Sequence, residues 1–383
     1  MQLFRPTYEV EECIDAIRKV LASGWTGPGP QCKQFEESWS QFTGAKYSHY
    51  LNSATAALHI AVRMLDLPKG SKILTTPLTF VSTNAVILYE GYEPVFVDIN
   101  ENDLSLDSKD FVKKAEEYRA KAALWVHYGG QVSTHFQEIM KMVRQETKGP
   151  LKGLQMIEDC AHAGGAYYED GLRVGNRTDT ISCFSYQAVK NLPTFDSGMI
   201  CCPTQITLER AKRLAWLGID KDTYARTNSN QNELYKWHYD VAELGWKYNG
   251  NDIAAAIANT QLKYLDRDND YRRKIYQTYH RNLKGHSQVV LIPHSRHSSH
   301  HLVVIRVKNR EEVIGALKAK GIACGVHYLP NNQFPVFQKF YKKGSCPNLE
   351  RISPEIISLP NHLQISESDI NQVCETVLHA AKN

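Results

Sequence analysis

The 383-residue chain has no apolar run long enough to cross a bilayer, which excludes a membrane-spanning helix. Its start, MQLFRPTYEVEECIDAIRKV, lacks a basic stretch followed by an apolar one, so no secretory signal is expected and the protein is read as cytoplasmic. There is no CxxC pair. The nine cysteines are odd in number and scattered, which fits reduced core thiols rather than a disulfide framework. Charge of one sign is also missing: 45 Lys+Arg against 41 Asp+Glu leave +4, too little to argue for nucleic acid or an anionic membrane as partner. Internal repeats and low-complexity tracts are absent. With 42% hydrophobic and 22% charged residues, a disordered or collagen-like chain is excluded. At the usual domain size the length implies two or three domains.

What is present is alternation. Residues 47–51, 72–76, 94–98, 122–126, 154–158, 181–185 and 199–202 read as short strands. Amphipathic spacing predicts helices over 10–21, 32–42, 54–65, 80–88 and around 134–144. Strands and helices in this rhythm predict an α/β domain with a mostly parallel sheet. After about residue 205 the pattern changes. Residues 206–240 are polar and read as helical or irregular, and 252–265 as an apolar helix that the charged run 266–282 continues. Strands are expected at 289–292, 301–307 and 325–328, with a helix over 310–320. This gives a large domain, 1–261, and a smaller α+β domain, 262–383.

In parallel α/β sheets, ligands sit beyond the carboxyl ends of the strands, and three such places carry chemistry. At Leu51-Asn52-Ser53-Ala54-Thr55 a strand runs into small hydroxyl residues as a helix opens. Free N–H groups and the helix dipole there suit a phosphate, although Ser and Thr are also ordinary helix caps. At Ile157-Glu158-Asp159-Cys160-Ala161-His162 a strand ends in two carboxylates. An acid there could bind a metal, act as a base, hold a protonated heterocycle, or only cap a helix. At Ser185 to Lys190 a strand and small residues precede a lysine. Desolvation would make its amine nucleophilic, whereas most lysines are simply solvated. A phosphate cradle, an acid and an amine in this order are the protein half of pyridoxal phosphate (PLP) chemistry.

The chain resembles the DegT/StrS group of nucleotide-sugar aminotransferases, which are fold-type-I PLP enzymes. The resemblance runs through Ser23-Gly24-Trp25, Asn52 to Leu58, Thr79-Phe80 and Pro94 to Asp98. It continues through Glu158 to His162, Phe184-Ser185 with Lys190-Asn191, Asp252 to Ile257, Gly325 to Tyr328 and Ser358-Leu359-Pro360. It implies a large domain with a mostly parallel sheet and a smaller α+β C-terminal domain. It implies that Lys190 is the Schiff-base lysine and proton shuttle, and that Asp159 faces the pyridine nitrogen. Ala54, Thr55 and Ser185 match the phosphate cradle, Phe80 the aromatic stacked on the ring, and His162 the neighbour of the phenolic oxygen. Trp25, His327 and Tyr328 match positions lining the sugar or nucleotide pocket. Lys247 matches a segment that reaches the partner's cofactor phosphate in a homodimer with shared sites.

The implied reaction moves an amino group from L-glutamate, by way of the PLP and pyridoxamine phosphate (PMP) forms, to a nucleotide-linked keto-deoxysugar. A 4-keto-6-deoxyhexose is favoured and a 3-keto sugar comes second, for an amino sugar of a surface glycan such as O-antigen or of a glycosylated metabolite. Departures exist. A Gly-rich run that often follows the lysine is Phe195-Asp196-Ser197-Gly198 here, and a family His is Gln187. A sugar dehydratase of the same fold would carry His in place of Lys190. A non-catalytic sensor would be expected to lose Lys190 or Asp159. No metal is expected: the tract with His294, His297, His300 and His301 has no Cys or carboxylate among its residues and reads as a solvated loop.

Overall fold

A computed structural model of the chain describes residues 1–220 and 239–381. The strands are β1 (Tyr47–Leu51), β2 (Lys72–Thr75), β3 (Glu93–Phe96), β4 (Ala122–Val126), β5 (Gln155–Asp159), β6 (Thr180–Ser185), β7 (Gly198–Cys202), β8 (Val290–Leu291), β9 (Val303–Arg306) and β10 (Ile356–Leu359). The helices used below are α1 (Val10–Ser23), α2 (Pro30–Thr43), α3 (Ala54–Arg63), α4 (Val81–Tyr89), α5 (Ser108–Tyr118), α6 (Thr134–Gln145) and α7 (Gln205–Ala215). After these come α8 (Asp252–Leu262), α9 (Leu265–Leu283), α10 (Arg310–Ala319), α11 (Pro335–Gln338), α12 (Pro347–Ile352) and α13 (Glu367–Ala381).

The first seven strands form one sheet in the order β1-β7-β6-β5-β4-β2-β3. Strands β3, β2, β4, β5 and β6 are parallel, and β7 lies antiparallel between β6 and β1. Successive side chains of a strand point to opposite faces, and here both faces are apolar. Ile73, Leu124, Ile157, Cys183 and Ile200 pack towards α3, α4 and α7. Leu74, Trp125, Met156, Phe184 and Met199 pack towards α2, α5, α6 and α8. A sheet buried on both sides needs such continuous apolar strands, and these are the runs that the sequence displays.

Strands β10, β9 and β8 form a second, antiparallel sheet. It shares a core with α9, α10 and α13. The first residues of the chain join this part: the Ala323 N–H donates to Met1 O at 2.9 Å and the Asn361 N–H to Leu3 O at 3.0 Å. Leu78, Phe96 and Ile99 of the first part share a core with Ile292, Leu302 and Leu349 of the second.

Three local expectations are corrected. Residues 325–328 are not a strand: only Gly325 pairs, in a single bridge to Ser358, because the backbone turns inward at His327 and Tyr328 to reach the site described below. Residues 252–282 are two helices broken at Lys263-Tyr264, not one continued helix. The histidine tract is no solvated loop, since His300 and His301 are buried. His300 lies over the Tyr276 ring at 5.1 Å, and His301 stacks on Phe4 at 5.7 Å. Of the stretch 206–240, residues 221–238 lie outside the described residues. Among the described residues, no helix is long and apolar enough to cross a membrane.

Candidate active site

The carboxyl edge of the large sheet gathers the chemistry. Strand β5 ends in Glu158 and Asp159, and strand alternation sends their carboxylates to opposite faces. Glu158 enters the buried layer under α5 and α6. There it accepts hydrogen bonds from His127 Nε2 at 2.7 Å, from the Tyr168 hydroxyl at 2.7 Å and from the Ser182 hydroxyl at 3.2 Å. Thr180 adds a further short bond. Burial pushes the Glu158 carboxyl up, but these donors, His127 first, hold it below the ordinary carboxylate range. Its role is a satisfied core ion. His127, Glu158 and Cys160 stand close enough to share a metal ion. All three are sealed from solvent, and Glu158 is already filled with hydrogen-bond donors.

Asp159 faces the other way, towards α4. Oδ2 accepts from the Thr83 hydroxyl at 2.7 Å and Oδ1 from the Ala161 N–H at 3.1 Å. Burial pushes its carboxyl upward, opposed by those two bonds and by the positive charge of Lys190. Lys190 lies in the loop after β6. That loop is closed at its base by Tyr186 N–H to Ser197 O and Thr194 N–H to Tyr186 O, at 2.9 and 2.7 Å. The next residue anchors it: Asn191 Nδ2 donates to Asn269 Oδ1 at 2.7 Å and to Ser299 O at 2.8 Å, while its Oδ1 accepts from His301 Nδ1 at 2.8 Å. The lysine is half-buried. Desolvation lowers its amine to about 8, with Asp159 opposing the shift. An amine so poised releases its proton far more readily than a solvated lysine, which raises the share of free, nucleophilic amine near neutral pH.

The cradle lies across β1, β7 and β6, where Leu51, Gly198 and Ser185 sit side by side in register. Ser53 caps α3 by accepting from the Ala56 N–H at 3.1 Å. The N–H groups of Ala54 and Thr55 have no acceptor among the described residues, as the first turn of a helix leaves them. Gly198 is required there. A Cβ would lie 2.4 Å from the Ser53 carbonyl carbon and 2.6 Å from Ala54 N. The close approach brings the helix start down onto the sheet edge beside Ser185. Phe80, just before α4, is 57% exposed, which leaves a large apolar ring uncovered near Tyr328.

Above these, His162 Nδ1 accepts from the Gly129 N–H at 3.3 Å, so its Nε2 is free to donate to the Tyr328 hydroxyl at 2.9 Å. The two rings stack at 6.0 Å, and His301 lies 4.4 Å from His162 on the ring-centroid measure. Burial, then the charge of Lys190, pushes His162 well below its ordinary pKa, and burial pushes Tyr328 up. Both are neutral hydrogen-bonding groups at neutral pH. His327 Nδ1 meets the Ser358 hydroxyl at 2.8 Å, and burial lowers that imidazole to about 4. Tyr128 bonds the His327 carbonyl.

The structure thus brings Lys190, Asp159, His162, His327 and Tyr328 to one edge, with Phe80 6.0 Å from the Tyr328 ring. Trp25 lies after α1, with its indole N–H on Pro28 O at 2.8 Å. Lys247 has its carbonyl on Asn52 Nδ2 at 3.3 Å, beside the cradle of its own chain, and its ammonium 3.1 Å from the Trp216 ring centre. Sequence reasoning missed Thr83, Asn191 and His301 as site residues. Asn191 was visible as the neighbour of the lysine; the other two are joined to the site only by folding.

The model of the DegT/DnrJ/EryC1/StrS aminotransferase family matches residues 7–378. The chain belongs to this family. The aminotransferase is 34% identical to the spore coat polysaccharide biosynthesis protein SpsC of Bacillus subtilis, over 97% of this chain and 95% of SpsC. Among solved structures it is similar to the putative sugar aminotransferase Spr1654 of Streptococcus pneumoniae in its PMP form, with a TM-score of 0.88, 26% identity, and 100% and 99% of the two chains covered. It is similar also to PseC of Helicobacter pylori, an aminotransferase involved in the biosynthesis of pseudoaminic acid, at a TM-score of 0.86 and 25% identity, covering 100% and 99%. The cofactor is PLP. The residues present fit it. Gly198 leaves room at an unbonded helix start that suits a phosphate, Phe80 offers an uncovered aromatic face, and Asp159 and Lys190 supply a carboxylate and an amine of depressed basicity.

Proposed function

We propose that this sugar aminotransferase takes its amino group from L-glutamate and delivers it to a nucleotide-linked keto-deoxysugar, a 4-keto-6-deoxyhexose first and a 3-keto sugar second. The product would be an amino sugar destined for a surface glycan, such as O-antigen, or for a glycosylated metabolite. The observation that carries the reading is the depressed amine of Lys190 facing the buried carboxylate of Asp159 at the sheet edge.

When bound, PLP supplies an electron sink for negative charge at the reacting carbon and a temporary seat for the amino group. The chain supplies the rest. Lys190 would hold the cofactor through its amine, and its free amine would be the base that takes and returns the proton at that carbon. Asp159 holds the ring-nitrogen proton by charge. Ala54 and Thr55 offer N–H groups, and Thr55 and Ser185 hydroxyls, to the phosphate. Phe80 covers one ring face. The neutral His162 would meet the phenolic oxygen and Tyr328 the incoming sugar, and His327 and Trp25 would line the acceptor pocket. The test is a panel of nucleotide keto-sugars with glutamate as donor. A 4-keto-6-deoxyhexose nucleotide is expected to give 2-oxoglutarate and an amino sugar in equal amounts. A deoxygenated, unaminated sugar as the main product would overturn the reading.

The same proposal includes a homodimer in which Lys247 of one chain serves the phosphate of the other. The family resemblance at this segment supports it; within one chain the Lys247 backbone lies against Asn52, at the rim of that chain's own cradle, so the test must separate the two arrangements. Co-assembling Lys190→Ala and Lys247→Ala chains tests it. If the lysines serve one site from different chains, each mixed dimer holds one intact site. Random pairing makes half the dimers mixed, so activity should approach about a quarter of wild type under two-fold symmetry. Activity no higher than the average of the two parents would contradict the shared site.

A further inference from the structure

Thr83 and Thr79, in the sequence Thr79-Phe80-Val81-Ser82-Thr83, form a buried chain of hydroxyls that ends on Asp159. Thr79 is 2% exposed and Thr83 fully buried. Their hydroxyls are 2.9 Å apart, and that of Thr83 is 2.7 Å from Asp159 Oδ2. The direction of the chain is forced. An ionised carboxylate only accepts, so the Thr83 proton points at Asp159 and its oxygen accepts from Thr79. A threonine in a helix commonly turns its hydroxyl back to the carbonyl four residues earlier. Here that carbonyl belongs to Thr79 and is already engaged by Asn331 Nδ2 at 2.8 Å. Asn331 is held in turn, since its Oδ1 accepts from Asn84 Nδ2 at 2.9 Å. Thr83 instead bonds across the fold to a strand 76 residues away.

We propose that Thr83, oriented by Thr79, is a positioning residue that keeps the shared proton on the cofactor's ring nitrogen rather than on Asp159. This rests on the proposed role of Asp159 at the pyridine nitrogen. Two bases, a pyridine nitrogen and a carboxylate, compete for one proton. Each hydrogen bond donated to the carboxylate favours its charged form and weakens it as a base. The other groups facing Asp159 are the Ala161 N–H and the positive charge of Lys190, with His127 behind it. Tyr328, Cys183 and Cys160 also feel its charge and are themselves held neutral, mainly by burial. The Thr83 hydroxyl is the strongest of the groups opposing the burial of the carboxylate. Without it, the proton moves to the carboxylate, the ring loses its positive charge, and the electron sink weakens.

The experiment compares wild type with Thr83→Val, which keeps the shape and loses the hydroxyl, and Thr83→Ser, which keeps the hydroxyl. In apoprotein, the Asp159 carboxyl is followed through pH by infrared or carbon NMR with labelled aspartate. In protein loaded with 15N-labelled PLP, the ring-nitrogen resonance reports whether the nitrogen carries a proton. Thr83→Val should raise the Asp159 titration and move the ring signal towards the unprotonated position. Thr83→Ser should restore both. Amino transfer should fall about 10–100-fold in the Val variant, the loss seen when the hydrogen-bond partner of a metal-ligating carboxylate is removed and taken here for the analogous carboxylate at the ring nitrogen. Should Thr83→Val not fold, Thr79→Val should shift both signals in the same direction, less far. Unchanged signals in a folded Val variant would overturn the proposal even if activity fell. Wild-type protein that takes up no PLP would instead overturn the functional reading, and this proposal with it.

Discussion

Lys190→Ala should lose amino transfer by about 10⁴-fold, the upper range for removing a general base, because it removes the covalent tether as well as the base. The fold should persist. The Lys190 side chain makes no hydrogen bond among the described residues, and the loop that carries it is held by Asn191 and by the Tyr186 and Thr194 backbone. The expected signature is a protein that still takes up cofactor through the cradle but is slow at proton transfer, with partial rescue by added primary amines. The depressed basicity of Lys190 adds a pH prediction. Its amine is lowered to about 8 by desolvation, so its protonated form dominates below that pH and the free amine above it. The rate at which apoprotein couples to PLP should rise through about pH 8 and then level. A rise centred on the ordinary lysine range, above 10, would show a solvated amine instead.

Asp159→Asn should keep the fold and cost about 10²–10³-fold in rate, the range for removing one preorganised electrostatic partner of developing charge. An amide matches the carboxylate in shape and can still accept from Thr83. It cannot hold the ring proton by charge. Near-normal turnover with cofactor fully bound would remove Asp159 from the role. Asp159→Ala would be a poorer test, since it leaves the Thr83 hydroxyl and the Ala161 N–H without their partner in a buried place.

Much of this arrangement is legible in the sequence because strand ends are local events. The strands expected at 122–126 and 47–51 coincide with β4 and β1 residue for residue, and the small hydroxyl residues after Leu51 do open a helix. Alternation along a strand assigns Glu158 and Asp159 opposite faces, and only the fold shows which face holds the site. What cannot be read locally is everything that reaches the site from afar. Thr83 meets Asp159, Asn331 meets Thr79, and His301 meets Asn191 across 76, 252 and 110 residues. The histidine tract, with no Cys or carboxylate among its residues, reads locally as a solvated loop. It is buried because Phe4, His162 and Tyr276 supply ring faces that a linear reading cannot bring to it. Helix α5 was not expected. Its apolar side buries little beyond Phe111 and Ala115, so the periodic signal is thin although Asp107 caps it well. Helix α13 also went unread, and its buried side belongs to a core completed by α10 and the first residue of the chain.

The measurement that bears most directly on the account is the site at which PLP is attached. Reduction of the loaded protein with borohydride, digestion and mass spectrometry should find the cofactor on the peptide that contains Lys190, in protein whose visible band is converted by glutamate to the shorter-wavelength absorption of PMP. Cofactor fixed to a different lysine, or no chromophore in protein supplied with PLP, would contradict it.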